Sequence, residues 1–376
     1  MHVAVNGGEQ PTLAIGTFVA KSKKVRIALI STPFVPVPPP SYGGTELIVA
    51  HLARELIGRG HEVVLYATGD SHVPDADIRS LYPEAIWPPD PWRELDHAAF
   101  AIRDIQDERF DVVHAHIAPV LAFAPLVPAP IVYTLHHARD ENLHRYYGHN
   151  SHANVRFVAI SERQRKLFAP EVPADVIHHG LEVSSYQVGP AGGYAAFLGR
   201  FAVEKGPAPA LDAAQRAGVP LRLAGKPHWK DMAYFEAEVE PRLARCDVLW
   251  LGEVAHEAKC KLLGGACATL FPIDWEEPFG LVMIESMLCG APVLAFARGS
   301  APELIDEGVT GWLCRDAEDM AERLRALCRG DIPFDRERCR ARAVERFSIA
   351  RMADRYLEVY ARMAARPALA SVPGTP

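Results

Sequence analysis

Glu277 and Glu285 have seven residues between them in the run Trp275-Glu276-Glu277-Pro278-Phe279-Gly280-Leu281-Val282-Met283-Ile284-Glu285. Each carboxylate can accept two hydrogen bonds, which suits the hydroxyls of a sugar and of a ribose. Pro278 cannot donate, and Gly280 lets the backbone come close to a ligand. A helix starting at Gly280 would turn its free N–H groups toward an anion, and Gly290 with Pro292 would end it. The competing reading has Glu285 in solvent and Glu277 merely capping the helix. Two more groups could do chemistry. His114 and His116, in Asp111-Val112-Val113-His114-Ala115-His116, share one face of a strand. Gly43-Gly44, just ahead of an amphipathic run, would bring backbone N–H groups close to a negative charge.

These residues need elements to hold them. Val25–Ser31 is a short apolar run ending at a turn, as a buried parallel strand would be. A proline-rich loop follows, Pro33 to Pro40. A helix from Thr45 to Gly58 then buries Leu47, Ile48, Leu52, Leu56 and Ile57, and His61–Ala67 is the next strand. Further strands are predicted at 110–116, 130–136 and 155–161, with a basic helix at 162–168, and residues 175–180 close this half. Residues 182–193 carry no apolar period and mark a boundary. The pattern then restarts, with strands at 194–199, 220–225, 247–252, 268–272, 292–296 and 312–314, and helices after Gly206, at 257–264, at 280–289 and from 317 onward. The sequence thus predicts an α/β protein of two Rossmann-like domains, with the active site in the cleft between them at the carboxyl ends of the strands.

The chain has 376 residues and a net charge of −7. Two domains fit that length, and the acidic balance weighs against nucleic acid as a partner. The seven cysteines are widely spaced with no CxxC pair, which reads as core thiols in a reducing, cytoplasmic protein and neither a disulfide framework nor a zinc site. The lysines at 21, 23 and 24 follow the apolar patch 12–20, the reverse of a signal peptide. Residues 1–24 are expected to form a flexible leader and 367–376 a disordered tail.

The segment Glu277-Pro278-Phe279-Gly280-Leu281, with Glu285, Gly290, Pro292-Val293, Glu303 and Gly308-Val309-Thr310-Gly311, resembles the signature of glycosyltransferase family 4, the retaining nucleotide-sugar-dependent enzymes of GT-B architecture. Further segments match in order: Gly43-Gly44-Thr45-Glu46, Asp111–His116, Thr134-Leu135-His136-His137, Val158–Ser161 and Gly199-Arg200-Phe201-Ala202-Val203-Glu204-Lys205-Gly206. The resemblance covers about residues 25 to 365. It implies an N-terminal acceptor domain at 25–184, with a C-terminal helix at 348–366 packing back on it, and a donor domain at 190–347.

The resemblance also implies roles. Arg200, Lys205 and the Gly43-Gly44 turn would hold the donor diphosphate, and the two cations would stabilise the departing nucleoside diphosphate. Glu285 would hold the ribose. Glu277, with the backbone around Phe279, Gly280 and Leu281, would hold the donor sugar. His136 would sit near the reacting carbon, and His114 and His116 would lie toward the acceptor. With those charges in place no metal or other cofactor is called for; the co-substrate is a nucleoside-diphosphate sugar, UDP-glucose first on family frequency. The acceptor, whether small molecule, glycan or lipid, and the oligomeric state stay open. The loops 33–42, 69–92 and 138–151 would build the acceptor site. His179-Gly180 stands where the family usually has Asn-Gly, and Ser286 where many relatives have alanine.

Other motifs carry less. Asp75-Ala76-Asp77 has the D-x-D spacing of metal-dependent transferases but lies in a polar stretch. There is no G-x-G-x-x-G after a strand and no P-loop. The arginine-rich segment 323–366 reads as an exposed helical face, with membrane contact a remote option. An epimerase on the same scaffold and a non-catalytic nucleotide-sugar binding protein are the alternatives. Products formed without acceptor, and binding without transfer, would distinguish them.

Overall fold

Parallel strands with helical returns build both halves of the molecule, seen in a computed structural model that describes residues 24–40 and 43–365. The leader up to residue 23, Ser41-Tyr42 and the tail lie outside the described residues. The first sheet contains β1 (Arg26–Ile30), β2 (Glu62–Tyr66), β3 (Asp77–Arg79), β4 (Val112–Ala115), β5 (Ile131–Leu135), β6 (Val155–Ala159) and β7 (Ala174–Val176), in the order β3-β2-β1-β4-β5-β6-β7. Ala28 pairs with Val64 on one side and Val113 on the other, so β1 is buried by both neighbours and both faces. That explains its unbroken apolar run. Helices α1 (Gly44–Gly58), α2 (Pro91–Asp107), α3 (Glu141–His149) and α4 (Glu162–Phe168) return the chain.

The second sheet is β10-β9-β8-β11-β12-β13, built from β8 (Ala195–Leu198), β9 (Leu221–Ala224), β10 (Val248–Trp250), β11 (Ala268–Phe271), β12 (Val293–Phe296) and β13 (Gly311–Cys314). Its helices are α5 (Pro207–Ala217), α6 (Met232–Tyr234) running through a π-helical stretch into α7 (Glu240–Leu243), α8 (His256–Gly264), α9 (Leu281–Leu288), α10 (Ala301–Leu304), α11 (Ala317–Arg329), α12 (Arg336–Phe347) and α13 (Ile349–Ala364). In each sheet the strand order reverses beside one strand, β1 in the first and β8 in the second. Such switch points open the crevices where doubly wound sheets bind ligands.

The chain crosses between the halves twice, side by side. Leu181 N–H donates to the Phe347 carbonyl and Ile349 N–H to the Leu181 carbonyl, both at 2.9 Å. A Cβ on Gly180 would stand 2.4 Å from the Ser348 carbonyl oxygen, so the close approach of the two crossings requires glycine there. Helix α13 then lies on the first half. Its buried face is Ile349, Met352, Ala353, Tyr356, Val359, Tyr360 and Met363, the spacing of one helical stripe. Arg59, directly after α1, ion-pairs with Asp354 and donates to the Ala350 carbonyl at 2.9 Å, and Arg362 reaches Asp175 at 2.8 Å.

Several local expectations change. Asp77, read as polar loop, opens the edge strand β3. Residues 91–107, which no sequence signal placed, form α2, with Asp90 capping it, Pro91 in its first turn and Ala98, Ala101, Ile102 and Ile105 buried. Part of the expected loop 138–151 is α3, which buries His144 and Tyr147. Cys267 and Cys328, read as thiols in a reducing compartment, are joined in a disulfide that ties the start of β11 to α11. Cys246, Cys260, Cys289, Cys314 and Cys339 are free. Among the described residues no helix is long and apolar enough to cross a membrane.

Candidate active site

Two helix N-termini face each other across the cleft. Gly43 directly precedes α1 and Gly280 directly precedes α9, and among the described residues neither start is capped by a side chain. A Cβ on Gly44 would lie 3.5 Å from Leu281 Cδ1, which measures how near the two starts are. Gly280 has φ 86°, and a Cβ there would meet Met283 Cε at 2.7 Å, so the turn into α9 needs glycine. Both starts line one cavity of about 140 Å³, whose wall also includes Arg200, Gly225, Lys259 and Glu285. Free N–H groups at two helix starts plus an arginine make this cavity a place for an anionic group.

Glu285 lies in the second turn of α9 and is buried. The Tyr186 hydroxyl donates to its Oε1 at 3.1 Å, and Lys259 of α8 ion-pairs with the same oxygen. Burial, and then the neighbouring Glu285 carboxylate, push the Tyr186 hydroxyl far above its ordinary range, so it stays a donor. Glu277 is also buried, on the loop between β11 and α9. Its Oε2 accepts from Lys205 Nζ at 2.5 Å and from Trp275 Nε1 at 2.9 Å, while the Lys205 ammonium stands 4.5 Å from the Trp275 ring centroid. Arg200 is held by Glu204 and, at 3.5 Å, by Asp231. Both cations are therefore paired to carboxylates within the second half. Arg200 lines the cavity directly, whereas Lys205 and its partner Glu277 are not part of the cavity wall.

The histidines separate into two environments. His114 is fully buried. Its Nδ1 meets the Tyr360 hydroxyl of α13 at 2.7 Å and its Nε2 the Thr134 hydroxyl of β5 at 2.8 Å, which in turn meets the Tyr356 hydroxyl of α13 at 2.8 Å. His114 does not reach out toward an acceptor, because the returning helix closes that face. His116 Nδ1 meets His136 Nε2 at 2.7 Å, and the His136 ring stacks on His179 at 5.4 Å between centroids. His116 Nε2 and His179 Nδ1 are buried with no hydrogen-bond partner among the described residues. Burial first, then the neighbouring imidazoles, hold His116 and His136 well below the ordinary histidine range; burial pushes His114 and His179 down to about 3. His136 is the half-buried member of this neutral chain, with His137 exposed beside it. The Phe279 ring is buried against His179, 5.1 Å between centroids, so that only its backbone can serve a ligand.

Sequence reasoning missed Lys259, Tyr186 and Asp231. No motif marks them; they come from α8, from the crossing segment and from the end of a 3₁₀ turn, and only the fold brings them to Glu285 and Arg200. Gly225 did leave a signal, a glycine closing the strand at 220–225. It has φ 131°, and a Cβ there would lie 1.9 Å from the Gly199 carbonyl oxygen. Among the described residues no cluster of three or more His, Cys, Asp or Glu side chains is arranged to hold a metal ion.

Comparison with known proteins gives this cleft a context. Residues 190–346 match the family Glycosyl transferases group 1, and residues 42–185 match Glycosyltransferase Family 4. An alpha-maltose-1-phosphate synthase of Mycolicibacterium smegmatis is 31% identical over 188 residues, 45% of this chain and 48% of that protein. That match thus spans about half of the relative's length. A glycogen synthase of Mycobacterium tuberculosis is 26% identical over 85% of this chain and 89% of its own. Among solved structures, AviGT4, a glycosyltransferase involved in avilamycin A biosynthesis, superposes with a TM-score of 0.71 at 25% identity, covering 91% of this chain and 99% of that one. Anabaena HepE, solved with UDP and glucose, has a TM-score of 0.73 at 19% identity over 90% and 99% of the two chains.

Proposed function

The chain is a glycosyltransferase of family 4 with two Rossmann-like domains, and on that premise we propose that it moves a hexose from UDP-glucose to an acceptor hydroxyl with retention of anomeric configuration. The observation that carries this reading is the pairing inside the cleft. Two buried glutamates on one strand-to-helix unit hold cations, beside two uncapped helix starts. A diphosphate entering between α1 and α9 offers Arg200 and Lys205 a more highly charged partner than Glu204 or Glu277. Exchange of partners would free the Glu277 carboxylate to accept from the sugar hydroxyls, while Glu285, held through Oε1 by Lys259 and Tyr186, would accept from the ribose through its other oxygen. Solved Anabaena HepE structures that share the fold hold UDP and UDP-glucose, which supports uridine as the base.

In the front-face route the acceptor oxygen attacks the anomeric carbon from the side the phosphate leaves. The bond to the phosphate oxygen breaks, and that oxygen takes the acceptor proton. The chain's own groups then do positioning and electrostatics. Arg200, Lys205 and the α1 and α9 N–H groups meet the charge that grows on the leaving diphosphate. His136, held neutral, donates one hydrogen bond and accepts one without adding charge at the reacting carbon.

Titration calorimetry with UDP, GDP and ADP, followed by donor hydrolysis with the matching sugars, tests the reading. Micromolar binding of UDP with slow release of glucose from UDP-glucose is the expected result. Preference for GDP or ADP would replace the donor, and binding of none of the three would overturn the proposal.

A further inference from the structure

The loop Trp275–Gly280 is fastened on both sides of the cleft. Within its own half, Ser300 N–H donates to the Glu277 carbonyl at 3.0 Å and Ser300 Oγ to the Phe279 carbonyl at 2.5 Å. Gly299, at φ 53°, packs so closely that a Cβ would lie 2.4 Å from the Glu277 nitrogen. The loop and the start of α10 are therefore one rigid piece. That piece makes two contacts with α4 of the other half. Glu276 takes a bidentate pair from Arg163, with Nε at 2.7 Å and Nη2 at 2.6 Å. Glu303 of α10 accepts the N–H of Glu162 at 2.8 Å and of Arg163 at 3.3 Å, and meets His178 Nε2 at 2.5 Å where the chain approaches its first crossing.

The two contacts differ in kind. Arg163 and Glu276 are both roughly half exposed, so their pair adds little to stability. Its planar two-point geometry fixes an orientation instead. Glu303 satisfies backbone donors that the start of α4 would otherwise leave to water. Glu276 adjoins Glu277 directly, so any slack at Arg163 passes to the carboxylate on the donor-sugar side.

We propose that Arg163, Glu276 and Glu303 are positioning residues: they latch the first half onto the Glu277 loop, and so set the closed geometry in which the sugar meets the acceptor. The inference rests on the transferase reading above and adds to it a determinant of turnover that touches neither substrate.

The test is a double-mutant cycle on the full-length protein. Arg163→Ala and Glu276→Ala should each lower kcat for donor turnover about tenfold, since small misplacements in a preorganised site cost that much or more. UDP affinity and the KM for donor should stay within twofold of wild type. The double variant should be no worse than either single, because one contact is lost in each case. Glu303→Ala should behave likewise, and Glu303→Gln, which still accepts from the backbone, should recover most of the rate. Wild-type kcat in either single variant, or effects that multiply in the double, would overturn the latch. A separate readout is free of the donor assignment. Small-angle scattering should show a larger radius of gyration for Arg163→Ala/Glu303→Ala than for wild type, both without nucleotide. An unchanged radius would overturn the latch even if the donor proves not to be UDP-glucose; a larger radius in a protein that turns over none of the donors tested would keep the latch and remove the donor assignment.

Discussion

Among the described residues Lys205 has one carboxylate partner, Glu277, and one aromatic neighbour, Trp275. On the proposed transferase reading its ammonium would pass to the donor diphosphate. Lys205→Ala should lower turnover by roughly 10²-fold, about 2.7 kcal/mol in barrier, as for loss of one charge-stabilising donor. Donor-hydrolysis rates check this, with circular dichroism to confirm the fold; wild-type turnover would remove Lys205 from the mechanism. The histidines make a second prediction. His114 and His179 protonate in the folded chain only near pH 3, whereas an unfolded histidine does so near 6.5. Between those values the unfolded state binds more protons, so stability falls as pH falls through the window, by about 1.4 kcal/mol per pH unit for each histidine held neutral. Calorimetry should find a lower Tm at pH 5 than at pH 7.5, and a Tm that rises on acidification would contradict the burial of these rings. At this scale the sequence located Glu277, Glu285, Arg200 and Lys205 on loops and helix starts, because glycines and a proline flank them. It could not tell His114 from His116. Strand alternation puts both on one face, and both are buried; only the arrival of Tyr356 and Tyr360 from α13 decides that His114 is bonded against that helix while His116 meets His136.

The strand-to-helix units carry the cleft, and their glycines are where the elements touch. At Gly225 a Cβ would collide with the Gly199 carbonyl, directly before Arg200. Gly225→Ala should therefore destabilise by about 1–3 kcal/mol, as strained left-handed positions do, and should weaken UDP binding by shifting the 199–200 turn. Thermal unfolding and calorimetry read the two effects together; a variant that loses stability but binds UDP normally would separate Gly225 from the site. Gly218, also left-handed at φ 67° but with open space around it, is the matched control, expected to cost stability and leave binding alone. Most strands could be read as short apolar runs, since buried parallel strands need nothing else. Helix α2 could not, because its buried face mixes His97 and the small Ala98 and Ala101 with only two large apolar residues, Ile102 and Ile105, which gives a weak apolar period. Nor could α3, whose Tyr, His and Arg residues look like a polar loop until Tyr147 is seen packed on Tyr133 and Phe157.

Helix α13 joins the end of the chain to its beginning. It leaves the second half through α12 and buries seven residues on the first. Truncation after Phe347 would uncover His114 and Thr134 along with an apolar groove on α1, and should abolish cooperative folding of the first half, because burying each large apolar side chain is worth about 1.5–3 kcal/mol. Soluble yield and calorimetric unfolding of the truncated chain are the measurements; a cooperative first-half transition at the wild-type temperature would show that α13 is dispensable. By itself the sequence determined the two α/β halves, the glycine turns at their strand ends and the carboxylates and cations placed on those turns, since each follows from local spacing and backbone geometry. Tertiary structure alone decided which charges pair, which histidine is bonded against α13, that Cys267 and Cys328 meet, and that Glu276 and Glu303 grip α4. The physical reason is distance along the chain. Contacts such as Glu303 with Glu162, 141 residues apart, leave no local period or motif, and they exist only once both sheets have formed and the two crossings have set the halves face to face.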